Sequence, residues 1–157
     1  MRNKMLAIVA VFLTLAAAPL ASFAASPTPV GTWKTIDDRT GQPRALVEIY
    51  EDGDSLDGKI LKVFPQPGED ADPVCDKCPG DLKGHKVTGL VILNGIKKNG
   101  DTWEGGTLLD PETGKTYKVK VSVLDGGQRL EVRGFIGFSI FGRSQIWVRA
   151  EPGEGGM

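Results

Sequence analysis

Turn signals recur along this chain at a spacing that leaves room for strands and little else. They stand at Asp38-Arg-Thr-Gly41, Glu51-Asp-Gly-Asp54, Asn99-Gly-Asp101, Asp110-Pro-Glu-Thr-Gly114 and Asp125-Gly-Gly127. Where strands follow one another directly, the signals lie about 12 to 14 residues apart, the rhythm of antiparallel hairpins. In the fourth, Pro111 presets φ for the first central position of a turn, and Gly114 supplies the left-handed residue that rejoins the next strand. The 21 glycines oppose a helical bundle, since each interior Gly costs a helix roughly 1 kcal/mol.

Eight strands are predicted between the turns: Val30 to Asp37, Arg44 to Tyr50, Leu56 to Phe64, Leu90 to Lys97, Thr102 to Leu109, Lys115 to Leu124, Arg129 to Phe135 and Arg143 to Arg149. The sixth alternates most cleanly. Tyr117, Val119, Val121 and Val123 share one face, and Thr116, Lys118, Lys120 and Ser122 the other, as a half-buried strand requires. Eight sequential antiparallel strands leave two open edges unless the sheet closes on itself. Closure into an up-and-down barrel removes both edges and encloses space for side chains or one small ligand. A two-sheet sandwich is the structural alternative.

Residues 1–24 read as a cleavable secretory signal. Arg2 and Lys4 precede an apolar run from Met5 to Ala18, and Ser22-Phe23-Ala24 carries small residues at the two positions a signal peptidase reads. The run is too short for the roughly 20 apolar residues a spanning helix needs, so no transmembrane span is expected after cleavage. The implied localisation is periplasmic or secreted. Residues 25–29 form a Pro-containing lead-in, 30–150 a single domain, and 151–157 a Gly-rich tail; lead-in and tail are expected to be flexible. Without Arg2 and Lys4 the chain carries 17 basic and 20 acidic residues, a balance that argues against nucleic acid as a partner. It also holds 45 hydrophobic residues in 133, lean for eight strands around a wide interior.

Gly31-Thr-Trp33 opens the first strand, and the last strand ends Ile146-Trp-Val-Arg149. This resembles the lipocalin and wider calycin pattern, in which a Gly-x-Trp plugs one end of the barrel and an Arg from the final strand lies across the indole. A guanidinium over an indole is attractive and closes a barrel floor without a flexible loop. Arg149 or Arg143 can supply that cation to Trp33.

A closer resemblance covers most of the chain after the leader. It rests on Gly31-Thr-Trp-Lys-Thr-Ile-Asp-Asp38, the Gly58-Lys-Ile60 strand, a Cys-x-x-Cys loop, Gly106-Thr-Leu-Leu-Asp-Pro-Glu-Thr-Gly-Lys-Thr-Tyr117 and Arg133-Gly-Phe-Ile-Gly-Phe-Ser-Ile-Phe-Gly-Arg143. These motifs resemble the bacterial domain-of-unknown-function family numbered 2147. The resemblance implies a secreted, single-domain, lipocalin-like β-barrel, and it assigns no catalytic residues.

Pro65 to Lys86 is a long loop with four prolines and no strand pattern, and loops of that length are usually functional or mobile. It contains Cys75-Asp-Lys-Cys78. In a secreted chain a local disulfide between Cys75 and Cys78 is the simple reading. A redox pair would want a thioredoxin-like context, which is missing. A zinc site would recruit Cys75, Cys78 and the only histidine, His85, with Asp72, Asp76 or Asp81 as a fourth ligand. No other cofactor is suggested, and Pro79 stands where a c-type haem motif needs His.

Catalytic motifs are absent from the sequence. Gly137-Phe-Ser-Ile-Phe-Gly142 has one residue too many for a nucleophile elbow and lacks the strand-turn-helix setting. Asp52-Gly-Asp-Ser-Leu-Asp-Gly58 fails as a calcium loop, because Leu56 and Val63 occupy ligand positions. Phe135, Ile136, Phe138, Ile140 and Phe141 form the most apolar stretch beyond the leader, and it does not alternate, so it reads as a barrel cap or a greasy rim. Three functions follow. The first is a module binding a small hydrophobic or amphipathic molecule, lined by Tyr117, Val119, Phe135, Phe138, Phe141 and Trp147. The second is an envelope interaction protein using the Phe-rich segment and the Cys loop. The third is an enzyme using the cysteines or carboxylates.

Overall fold

The computed structural model describes residues 27–155, so the leader read from residues 1–24 lies outside the described residues. All eight strands form: β1 (Gly31–Ile36), β2 (Pro43–Asp52), β3 (Ser55–Val63), β4 (Val91–Asn99), β5 (Thr102–Asp110), β6 (Lys115–Leu124), β7 (Arg129–Phe135) and β8 (Arg143–Arg149). Each pairs antiparallel with its neighbour in sequence, and β8 returns to β1 through Trp33↔Arg149, Lys34↔Val148 and Thr35↔Trp147. The sheet is therefore a closed barrel, and the sandwich alternative falls with its open edges. No helix among the described residues is long and apolar enough to cross a membrane.

The alternation read from the sequence becomes the inner face of the barrel. Val121 pairs with Val132 and Val123 with Leu130, and Leu130 pairs in turn with Trp147. One face of β6, β7 and β8 thus supplies one stretch of core wall, while Lys118, Lys120 and Arg133 stand on the outer face. Up-and-down topology sends alternate connections to opposite ends. The short turns at 53–54, 100–101 and 125–128 lie at one end, the floor; the connections at 37–42, 64–90, 111–114 and 136–142 lie at the other, the mouth.

The floor is built on Trp33, which is fully buried and whose Nε1 donates to the Pro29 carbonyl at 2.7 Å. Arg149 lies over the indole with its guanidinium carbon 4.1 Å from the ring centroid. Its Nε donates to the Gly127 carbonyl at 2.6 Å and its Nη1 to the Val30 carbonyl at 3.4 Å, joining the residue before β1, the β6–β7 turn and β8. The Gly of Gly-x-Trp has a steric reason as well: Gly31 has φ +132°, and a Cβ there would sit 2.5 Å from Arg149 Nη1. Of the two arginines the sequence offers for closure, only Arg149 serves. Arg143 lies at the mouth, because six residues of strand at about 3.3 Å each separate it from the floor.

At both ends the described residues pack on the barrel. Pro29 is fully buried beneath Trp33, and the tail turns back so that Glu154 meets Lys34 at 2.9 Å. The long β3–β4 loop is also organised. Cys75 N–H donates to the His85 carbonyl at 2.7 Å, Gly84 N–H to the Cys75 carbonyl at 2.9 Å, and Val87 N–H to the Pro73 carbonyl at 2.9 Å, with a single 3-10 turn at Gly80–Leu82. The paired cysteines at its centre are buried within the hydrophobic core.

Candidate functional site

The barrel interior is divided by depth. Near the floor Trp33, Ile49, Leu56, Ile96, Val119, Val121 and Leu130 fill it, each 8% exposed or less. Toward the mouth the side chains no longer meet across the axis. A cavity of about 1050 Å³ opens there, walled by Ala45, Val47, Ile60, Val63, Ile92, Leu108, Tyr117, Val132 and Trp147. That is just above the roughly 300–1,000 Å³ usual for small-molecule sites, and it includes the open mouth. Thr35, Tyr117 and Gln145 give the wall a few polar groups, and Gln145 Oε1 accepts from Trp147 Nε1 at 3.4 Å.

Ion pairs bind the loops around the opening. The Arg44 guanidinium, at the start of β2, donates from Nη1 to Glu69 at 2.7 Å and from Nη2 to Glu112 at 2.7 Å, so that one side chain spans the β3–β4 loop and the β5–β6 turn. Those two hydrogen bonds hold Arg44 above its ordinary pKa, and the bond from Arg44, with a second from Gln66 N–H, holds the Glu69 carboxyl below the usual value. Across the mouth Arg143 grips Asp38 at 2.6 Å, tying β8 to the β1–β2 loop. Asp37, capping the same loop by accepting from Arg39 and Thr40 N–H, is likewise held below the ordinary carboxylate range.

The disulfide acts on the same rim. Cys75 and Cys78 are bonded to one another, with Cα atoms 5.4 Å apart, and Cys75 Sγ lies 3.3 Å from the Pro111 carbonyl oxygen. The Cys loop presses so closely on the β5–β6 turn that a Cβ at Gly114 would overlap the Lys77 carbonyl, and Gly114 has φ +71°. With both sulfurs in this bond, the arrangement of Cys75, Cys78 and His85 as zinc ligands is not formed; His85 is exposed and joins the loop through its backbone.

Four of the six residues expected to line a binding site do face the cavity: Tyr117, Phe135, Phe141 and Trp147. The other two lie elsewhere. Val119 shares the inner face of β6 with Tyr117 but lies one pleat deeper, 1% exposed in the packed half. Phe138 is 76% exposed at the tip of the β7–β8 loop and does not line the opening. Sequence reasoning missed Arg44 and its two carboxylates altogether, because Glu69 and Glu112 lie 25 and 68 residues from it. The only trace of the wall residues Val47, Ile60 and Val132 in the sequence is alternation, which gives the face but not the depth.

A family model described as an uncharacterised protein conserved in bacteria, DUF2147, matches residues 31–149. Among solved structures, protein HP1028 from the human pathogen Helicobacter pylori, described as belonging to the lipocalin family, is similar with a TM-score of 0.68 and 21% identity, over 82% of this chain and 86% of that one. At that identity the likeness is one of fold. No curated protein matches the chain.

Proposed function

The chain belongs to the bacterial family DUF2147, and from its hollow barrel we propose that it binds a small hydrophobic or amphipathic molecule in the cavity, with the polar end toward the mouth. One observation carries this reading: the packed core stops halfway along the barrel, although Trp33 and Arg149 seal the floor. A barrel evolved only for stability gains by filling its interior, since an empty volume forfeits the dispersion contacts of its lining. Below a charged rim that includes Asp38, Arg44, Glu69, Glu112 and Arg143, the wall is mainly aliphatic with Trp147 at its base, suited to an acyl or aromatic portion, and Tyr117, Gln145 and Thr35 offer hydrogen bonds to polar atoms.

Secretion through the 1–24 leader into the periplasm or beyond belongs to the same proposal. The Cys75–Cys78 disulfide supports it, because such bonds persist in oxidising compartments. The direct test is to extract the purified protein under denaturing conditions and analyse the extract by mass spectrometry. In parallel the stripped protein is titrated with a long-chain alcohol while Trp fluorescence is followed. A co-purifying apolar species, or saturable quenching, is the expected result. A stripped protein that binds neither aliphatic nor aromatic probes would overturn the reading.

A further inference from the structure

Two of the connections at the mouth are built alike. Asp37-Asp-Arg-Thr-Gly41 and Asp110-Pro-Glu-Thr-Gly114 share the pattern Asp-x-x-Thr-Gly, and in each the Asp carbonyl accepts from the Gly N–H at 2.8 Å. Asp37 Oδ1 accepts from Arg39 N–H at 2.8 Å and Thr40 N–H at 3.0 Å. Asp110 Oδ1 accepts from Glu112 N–H at 2.9 Å, and its Oδ2 from the Thr113 hydroxyl at 2.7 Å. These donors are neutral, so they fix each carboxylate without cancelling its charge. Both residues line the cavity, and both act on one guanidinium: Arg143 is held above its ordinary pKa by Asp38 first, and by Asp37 and Asp110 beyond it.

The arginines of the opening are already occupied by carboxylates. Arg39 pairs with Asp37, Arg44 with both Glu69 and Glu112, and Arg143 with Asp38. Seven carboxylates and four bases line the cavity, so after these pairings Lys77 stands against Asp70, Asp76 and Asp110. A carboxylate or phosphate headgroup entering here meets an excess of negative charge and finds each arginine satisfied. An ammonium group meets attraction instead. Tyr117, Phe135 and Phe141 line the same cavity, and the faces of such rings attract alkylammonium groups as well. Carboxylates and aromatic rings around an apolar hollow suit a cation that carries a hydrophobic body.

We propose, taking the hollow of the barrel as the binding site, that it selects amphipathic cations: molecules with an alkyl or aryl portion inside the barrel and an amine or quaternary ammonium at the mouth. The cavity is the site, and the carboxylates around it set the charge of what enters. Anions with the same apolar portion are disfavoured.

The test titrates the stripped protein, at pH 8 and low salt, with three probes of one chain length: dodecyltrimethylammonium, dodecanol and dodecanoate. Each is kept monomeric while Trp fluorescence is followed. The cation should bind about tenfold or more tighter than dodecanoate, with dodecanol between them. Added salt should narrow the gap. Asp37→Asn with Asp110→Asn keeps the side-chain oxygens that accept within both turns; it should weaken the cation several-fold and leave dodecanol unchanged, which also shows that the cavity is intact. Asp70→Asn with Asp76→Asn, on the Cys loop and outside those turns, should act in the same direction. Dodecanoate that binds as tightly as the cation, while dodecanol binds, would overturn the charge preference and leave the cavity site standing. Cation binding that neither pair of variants weakens would overturn it too. Failure of all three probes would overturn the cavity site along with it.

Discussion

The Arg149 guanidinium lies 4.1 Å above the Trp33 indole and joins the first strand of the barrel to the last. The two residues also pair across the closing seam, so one contact completes the sheet and blocks the floor. Arg149→Ala removes the cation–π contact and the two hydrogen bonds to the Gly127 and Val30 carbonyls. A loss of about 2 to 3 kcal/mol is expected. Thermal unfolding should shift down by roughly 5 to 10 °C. Arg149→Lys should recover only part, because an ammonium cannot lie flat on the ring while donating in two fixed directions. A melting temperature unchanged in Arg149→Ala would show that the seam holds without it.

The Cys75–Cys78 bond closes a loop of only four residues, for which chain entropy gives about 2 kcal/mol. Reduction should therefore leave the barrel folded and loosen the Cys loop. Amide exchange should accelerate over residues 73–88, where Cys75, Gly84 and Val87 N–H groups are now bonded within the loop. Exchange that accelerates in the barrel strands to the same extent would contradict a local role.

Glu69 gives the mouth a definite pH dependence. Arg44 lowers its folded-state pKa beneath the ordinary value of 4.5, so the carboxylate form is favoured by folding. The stabilisation is full above about pH 5.5 and fades as pH falls through 4.5 and below, because the unfolded chain then takes up the proton first. Glu69 is exposed, so the effect is small and screened by salt. The melting-temperature difference between wild type and Glu69→Gln should be level at neutral pH and vanish toward pH 2. A difference that grows on acidification would reverse the assigned sign.

Ala45 stands in the cavity wall with a methyl where a ring would fit. Ala45→Phe should fill part of the hollow, lower affinity for aliphatic probes about tenfold or more, and leave the melting temperature level or higher. Undiminished probe binding would place the site elsewhere, such as the exposed β7–β8 tip.

Strand positions were legible because a half-buried strand must alternate, and Tyr117, Val119, Val121 and Val123 do so whatever surrounds them. Trp33 with its glycine two residues before it was legible as a floor for the same kind of local reason. Ring closure was legible too, since eight sequential antiparallel strands leave two open edges, but which side chains meet at each end of the ring was not. Arg143 and Arg149 are chemically identical and occupy one strand, yet they meet Asp38 and Trp33 at opposite ends of the barrel.

The amino-acid sequence by itself determined which residues form strands, where the chain turns, and which side chains share a face, since these follow from backbone geometry and a two-residue period. Only the tertiary structure decided depth along the barrel axis: Val119 in packed core and Tyr117 on the cavity wall, two residues apart on one face. It also decided that Arg44 draws Glu69 and Glu112 to a common rim, and that the Phe-rich loop is braced outward by Arg133. Depth and rim depend on strand tilt, register and ring closure, which exist only when all eight strands are in place.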